Sequence, residues 1–285
     1  MVLSRSLKIP ADLVKFSIGT KILVEVHPLN TAGEVGHLSI SQRQGVITCI
    51  PKEDRSKSYL KNWRPISLLN VDKKKIGSSV IANRIKNFLD KLISSSQKGF
   101  LKGRYIGECT RLIFDLIERA EEENIPGILL LLEFEKAFDT VEWSYLLKTL
   151  DFFGFGKDLC NWVKTFYTDQ TSCILNNGHC SDFFDITRGV RQGDPLSPYL
   201  FILVMEILSV TLKNDPIISG IKFNDSEYLA SQYAGDTSLT LEDDPVSLER
   251  CLQIFDKFGD CAGLRANLDK TQAVWFGSGH GCGIE

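Results

Sequence analysis

Two carboxylates in this sequence stand where chain reversals meet apolar runs. Glu133 follows the unbroken run Ile128–Leu132, and Asp236 closes the stretch Tyr233-Ala234-Gly235-Asp236 between two apolar segments. Strand ends and hairpin turns can lie side by side on one edge of a sheet. Carboxylates converging there hold two divalent cations about 3.5–4 Å apart, which stabilise the attacking and leaving oxygens of a phosphoryl transfer. An aspartate also favours a turn for local hydrogen-bonding reasons. Taken alone, the two residues admit a structural reading as well as a chemical one.

The elements that must position them are legible in the hydrophobic pattern. Ile128–Leu132 has the length and continuity of a central strand buried on both faces. The pattern predicts strands over 171–176 and 180–187 joined by Asn177-Gly178, and others near 220–224, 227–232, 237–241 and 272–276. Gly45–Ile50 reads as a short strand stopped by Pro51, with a basic loop from Lys52 to Arg64. Helical spacing predicts helices near 72–93 with Asp72 as cap, 108–124, 142–153, 157–167 and 246–262. A strongly apolar helix is expected to open on Asp194-Pro195 as cap and first residue. Residues 1–44 show no sustained period.

Composition narrows the class. The chain has 285 residues, 43% apolar and 24% charged, which excludes disordered and fibrous classes. Its longest apolar run, Leu200–Met205, is far short of the ~20 residues a spanning helix needs. The N-terminus has no apolar core of signal-peptide length, so a cytoplasmic or nuclear place is expected rather than secretion. Eight cysteines without two-residue spacing suggest neither a zinc module nor a disulfide framework. Net charge is −3, but residues 1–110 carry 19 Lys and Arg against 8 Asp and Glu, while residues 111–285 carry 14 against 28. A basic half that neutralises phosphates joined to a half rich in carboxylates has the polarity of a polymerase or nuclease, although both halves also read as solvated surface.

Several blocks carry a more specific signal. They are Ile47-Thr48-Cys49-Ile50-Pro51-Lys52, Asn62-Trp63-Arg64-Pro65-Ile66-Ser67-Leu68-Leu69-Asn70 and Phe134-Glu135-Lys136-Ala137-Phe138-Asp139. Arg188-Gly189-Val190-Arg191-Gln192-Gly193-Asp194-Pro195-Leu196-Ser197-Pro198 follows, then Tyr233-Ala234 and Gly263-Leu264 through Lys270. In order and spacing, over about residues 45–277, the chain resembles the reverse transcriptase of LINE-type (non-LTR) retrotransposons. The resemblance implies an α+β right-hand polymerase fold without a thumb. Fingers would be 45–104 and 142–187, palm 105–141 and 188–277, with 1–44 of uncertain structure and 278–285 an unstructured tail. It implies RNA-templated DNA synthesis with two Mg2+ ions, an RNA template, a DNA primer and deoxynucleoside triphosphates, and no membrane partner.

Position by position, the resemblance puts the first catalytic carboxylate at Glu133 and a metal-binding backbone carbonyl at Phe134. Phe138 falls at the position that stacks under the sugar and excludes a 2′-hydroxyl. Lys52 and Arg64 match residues that grip the incoming triphosphate, as cations facing phosphate oxygens should. Gln192 and Gly193 match the motif against the template base, Tyr233 the start of the signature turn, and Lys270 a basic residue near the leaving pyrophosphate. Asp194 reads as a helix cap.

Two departures bear on activity. The family's turn is Tyr-Ala-Asp-Asp, and this chain has Gly235 before Asp236; the other aspartate has become Glu133, one methylene longer. Mg2+ demands near-ideal octahedral geometry at about 2.0–2.1 Å. Three carboxylates have become two, and catalysis is expected to be impaired. The alternatives are a non-enzymatic nucleic-acid-binding remnant and a fragment without function.

Overall fold

A computed structural model describes residues 38–53, 55–69 and 71–277; of the N-terminal stretch 1–44 only 38–44 are among them, and 278–285 lie outside the described residues. In chain order the first elements are α1 (Ile40–Arg43), β1 (Gln44–Pro51), a 3-10 turn (Leu60–Asn62), β2 (Trp63–Leu69), α2 (Val71–Leu92), α3 (Ile106–Glu122) and β3 (Gly127–Leu132). Then come α4 (Ala137–Thr140), α5 (Trp143–Phe152), α6 (Lys157–Tyr167), β4 (Gln170–Asn176), β5 (His179–Cys180), β6 (Phe184–Ile186) and α7 (Ser197–Lys213). The remainder is β7 (Ile221–Phe223), β8 (Ser226–Tyr228), β9 (Ala230–Tyr233), β10 (Asp236–Glu242), α8 (Pro245–Ala262) and β11 (Gln272–Phe276). The described residues divide into two compact units, 38–84 with 143–197 and 85–142 with 198–277.

In the first unit a mixed sheet has the order β2-β1-β4-β5, with β6 also paired to β4. β2 was not expected from the sequence, which places a loop through Arg64. Pro65 and Arg64 obscure it, yet β2 is an edge strand, where a missing N–H and a charged side chain are both tolerated. The 180–187 segment is two strands rather than one. Cys180 pairs with Leu175 and Ile186 with Gln170, and between them Ser181 donates its N–H to the Ile174 carbonyl at 3.0 Å but accepts the Ile174 N–H on its hydroxyl, at 2.9 Å, in place of its own carbonyl. The Asn177-Gly178 turn has φ +49° and +81°, as its type requires. Leu146, Leu150, Val163 and Phe166 of α5 and α6 form a buried apolar layer.

The second unit is built on the antiparallel sheet β11-β3-β10-β9. β3 is central, with Ile128, Leu129, Leu130 and Leu132 buried. Each such side chain contributes about 1.5–3 kcal/mol by leaving water. In α7 the run Leu200–Met205 is likewise buried throughout. α8 is capped by Asp244, whose carboxylate accepts the N–H groups of Val246 and Ser247, has Pro245 at its first turn, and stops at Gly263 with φ +78°. Its buried positions Leu248, Cys251, Ile254, Phe255, Phe258 and Ala262 keep helical spacing.

Three expectations need correction. α2 begins at Val71, so Asp72 sits in its first turn and is not its cap. α7 begins at Ser197 and not at Pro195. Asp194 organises the turn before it by accepting the Leu196 N–H at 2.8 Å and the Ser78 hydroxyl at 2.9 Å. The strand expected over 227–232 is broken at Leu229, with β8 pairing to β7 and β9 to β10. Among the described residues no helix is long and apolar enough to cross a membrane.

Candidate active site and nucleotide-binding residues

The ladder of the second unit brings its two carboxylates together. Leu132 of β3 pairs with Thr237 of β10, so the next rung sets Glu133 beside Asp236. Asp236 in turn pairs with Tyr233 across the tight turn Ala234-Gly235. Lys270 completes the group: its Nζ donates to Glu133 Oε1 at 2.5 Å, both side chains being about half exposed. The backbone holds that lysine near, because Asn267 N–H donates to the Glu133 carbonyl at 2.8 Å and Lys270 N–H to the Asn267 carbonyl at 3.1 Å. Burial, and secondarily the charge of Glu133, push the Asp236 carboxyl above its ordinary value, with Lys270 opposing them.

Phe134 follows with its ring buried and 6.3 Å from that of Phe258. Its bridge to Ala266 uses the Glu133 carbonyl and the Glu135 N–H, so the Phe134 carbonyl is outside those two bonds. Phe138 lies in α4, which Lys136 enters with a left-handed φ of +43°. Its ring stands 4.6 Å from Phe201 and 6.0 Å from Phe100. The same Phe201 ring bounds position 235: a β-carbon on Gly235 would meet it at 3.3 Å and the Ala137 methyl at 3.7 Å. Gly235 has no positive φ that would demand glycine. Hence an aspartate fits there if Phe201 yields by a few tenths of an ångström.

In the first unit, Ile50 pairs with Arg64 and Lys52 N–H donates to the Asn62 carbonyl at 2.8 Å. By this register Lys52 and Arg64 share one face of the β1–β2 ribbon as diagonal neighbours, a separation of about 7–8 Å that long side chains can close over one anion. Gln192 and Gly193 form a turn in which Gly193 has φ +88°. That left-handed backbone favours glycine, and a β-carbon there would meet no protein atom within 4 Å. The turn is fixed at its flanks, with Trp143 Nε1 donating to the Gly189 carbonyl at 2.8 Å and Arg191 bonded to the Gln170 side chain.

The residues that sequence reasoning missed lie beneath the Asp236 turn. Ser209 Oγ donates to Gln232 Oε1 at 2.7 Å, Gln232 Nε2 to Thr237 Oγ1 at 3.1 Å, and Thr237 Oγ1 to the Gly235 carbonyl at 3.3 Å. Gln97 bonds to Ala234 from the other side. All four side chains are buried. Their only sequence signal is a set of polar residues inside otherwise apolar periodic segments.

The donor set does not fit two Mg2+ ions. Position 235 supplies no side-chain oxygen, and Glu133 already carries an ammonium on one of its oxygens. Among the described residues no group of three or more His, Cys, Asp or Glu is arranged to hold a metal ion.

Comparison with known proteins places this geometry. The profile of the reverse transcriptase (RNA-dependent DNA polymerase) family matches residues 50–279. The transposon TX1 uncharacterized 149 kDa protein of Xenopus laevis is 33% identical over 250 residues, 88% of this chain and 19% of that protein. A Pol polyprotein of the R2 retrotransposable element of Popillia japonica is 28% identical, covering 84% of this chain and 33% of its own length. The RNA-directed DNA polymerase from mobile element jockey of Drosophila melanogaster is 26% identical over 87% of this chain and 27% of that protein. The chain thus spans between a fifth and a third of the length of these relatives. Among solved structures, a telomerase from Candida tropicalis in complex with a TWJ fragment of telomeric RNA aligns over 82% of this chain and 41% of its own, with a TM-score of 0.61 at 13% identity. That likeness concerns the fold, an α+β right-hand polymerase.

Proposed function

We propose a function from one premise: the chain belongs to the reverse transcriptase (RNA-dependent DNA polymerase) family, in its non-LTR retrotransposon branch. It is a domain built for RNA-templated DNA synthesis that still engages nucleic acid and whose nucleotidyl transfer is impaired. In that reaction the primer 3′-hydroxyl oxygen attacks the α-phosphorus of a deoxynucleoside triphosphate, the bond to the β-phosphate oxygen breaks, and pyrophosphate leaves. Lys52 and Arg64 would neutralise the triphosphate, Phe138 would close the site to a 2′-hydroxyl, and Tyr233, Gln192 and Gly193 would lie along the template–primer pair. Fingers would comprise 45–104 and 142–187, and palm 105–141 and 188–277. Its working place is inside the cell, in cytoplasm or nucleus, where an RNA template is available.

One observation carries the claim of impairment: Gly235 precedes Asp236, while Glu133 is engaged by Lys270. Glycine offers only its backbone carbonyl, which already accepts from Thr237. Losing one well-placed electrostatic group costs about 10²–10³ in rate. With two substituted carboxylate positions, the family's two-Mg2+ arrangement is undercompensated, and the phosphate-facing cations remain. Binding to a DNA primer annealed to an RNA template, measured across a salt series with primer extension on the same sample, tests the reading. Salt-sensitive binding with little extension is expected, and absence of binding at low salt would refute it.

A further inference from the structure

The turn that carries Asp236 contains strain. Ala234 has φ +55°, a left-handed conformation that costs a non-glycine residue about 1–2 kcal/mol and persists only where the surroundings fix it. Here a single side chain grips both polar atoms of that residue. Gln97 Oε1 accepts the Ala234 N–H at 2.7 Å, and Gln97 Nε2 donates to the Ala234 carbonyl at 3.0 Å. The amide thus acts as the missing rung of a ladder, 137 residues away in sequence. Its oxygen also accepts the Gly99 N–H at 2.9 Å, which fixes which end of the amide faces which partner.

Gln97 is fully buried, at 0% exposure. A buried amide is costly unless paired, so its three bonds hold it in one orientation. Its backbone is also fixed. Gln232 N–H donates to the Ser96 carbonyl and Lys98 N–H to the Gln232 carbonyl, each at 2.8 Å, so residues 96–98 run along β9. The Arg104 guanidinium donates to the carbonyls of Ser94, Gln97 and Ile93 at 2.5, 2.7 and 3.2 Å. At Gly99 a β-carbon would lie 2.3 Å from the Ala234 nitrogen, so glycine is what lets the two backbones meet.

We propose that Gln97, itself set by Arg104, is a positioning residue for the carboxylate-bearing turn: it fixes left-handed Ala234 and thereby keeps Asp236 beside Glu133. The proposal rests on the reading of that turn as the site, but its test requires no catalysis. Amide hydrogen exchange is followed in the full chain for Gln97→Met, which keeps volume and removes all three bonds, and for Gln97→Glu, which keeps the acceptor and loses the donor. Leu239 in β10 serves as the reference amide. In Gln97→Met the Ala234 amide should exchange about tenfold faster relative to Leu239, as the loss of a hydrogen bond of about 1–1.5 kcal/mol dictates. In Gln97→Glu it should stay slower than in Gln97→Met, even though a buried carboxylate lowers the melting temperature more. A residue that merely fills the core would give one order in both measurements. Unchanged exchange at Ala234, or Ala234 and Leu239 accelerating together, would overturn the proposal. Should Gln97→Met fail to fold, Arg104→Lys should loosen the same amide in the same direction, and no change there would overturn it equally. A parent chain that binds no nucleic acid would refute the functional reading and leave the exchange result standing.

Discussion

Lys52 and Arg64 stand on an edge ribbon whose neighbours, Asn62 apart, are half-buried or exposed, whereas Glu133 and Asp236 stand over a buried polar network that fixes the backbone beside Asp236. The ribbon carries the two cations proposed to face phosphate with little scaffolding. The sheet edge has its scaffolding and carries two carboxylates, Glu133 and Asp236, with glycine at position 235. A turn held through Gln97, Gln232, Ser209 and Thr237 is constrained by groups that contribute to the stability of the unit, since leaving any of them unpaired costs about 1–3 kcal/mol. Gly235 contributes nothing comparable to the fold. On the proposed reading, substitution there would change the chemistry and spare the architecture.

This contrast is open to direct attack. The largest effect should come from the ribbon: Lys52→Ala with Arg64→Ala removes two charge-assisted hydrogen bonds of about 1.5–3 kcal/mol each. Affinity for a deoxynucleoside triphosphate, titrated against the primer–template complex, should drop at least about 10²-fold. An unaltered affinity would remove both residues from the site. In the salt series of primer–template binding, both this double variant and Asp236→Ala should leave the log–log slope of the parent, since neither change removes a cation assigned to template or primer phosphates. Collapse of binding in Asp236→Ala would reverse the assignment of roles to the two regions.

Restoring aspartate at position 235 alone should destabilise the chain by about 1 kcal/mol, a typical cost for a point substitution. The new side chain crowds Phe201 and adds a third carboxylate beside Glu133 and Asp236, and crowded carboxylates repel. The melting temperature in chelator should therefore fall, with part of the loss recovered on adding Mg2+. A variant that melts higher than the parent in chelator would show that Gly235 is not relieving strain or charge.

The smallest effect concerns pH. Glu206 in α7 is buried, and burial pushes its carboxyl above the ordinary 4.5, opposed by the Ser94 hydroxyl 3.1 Å away and by the charges of Lys213 and Arg104. A folded-state value raised above the unfolded one gives stability that is complete below the unfolded value and is lost as pH rises through the folded value. Glu206→Gln removes that loss. The melting temperature of the variant should gain on the parent between pH 4 and pH 8 by about 2 °C for each kcal/mol involved. A gap that narrows over that range would contradict the sign.

How far these features could be read in advance depended on the range of the interaction that fixes each. α6 and β11 have the limits that local periodicity predicts, and Asn177-Gly178 turns as its residue types require. That Glu133 and Asp236 could meet was open from a buried run and a hairpin turn, and the β3–β10 register is what brings them together. What escaped was set by partners distant in sequence. β2 is a strand because β1 supplies its ladder, despite Pro65. Asp194 faces Ser78 across 116 residues instead of capping α7 at its first turn. Gln97 carries no local signal at all, because its role exists only once β9 and β10 have brought Ala234 to it.

The most direct test of the central claim is RNA-templated extension of a DNA primer by the parent chain beside the same chain carrying Glu133→Asp and Gly235→Asp, at saturating primer–template and with Mg2+. Both should bind the hybrid alike, and the double variant should extend it at least about 10²-fold faster, the lower bound for returning one such electrostatic group. Equal rates in the two proteins would contradict the claim that these two positions limit the reaction.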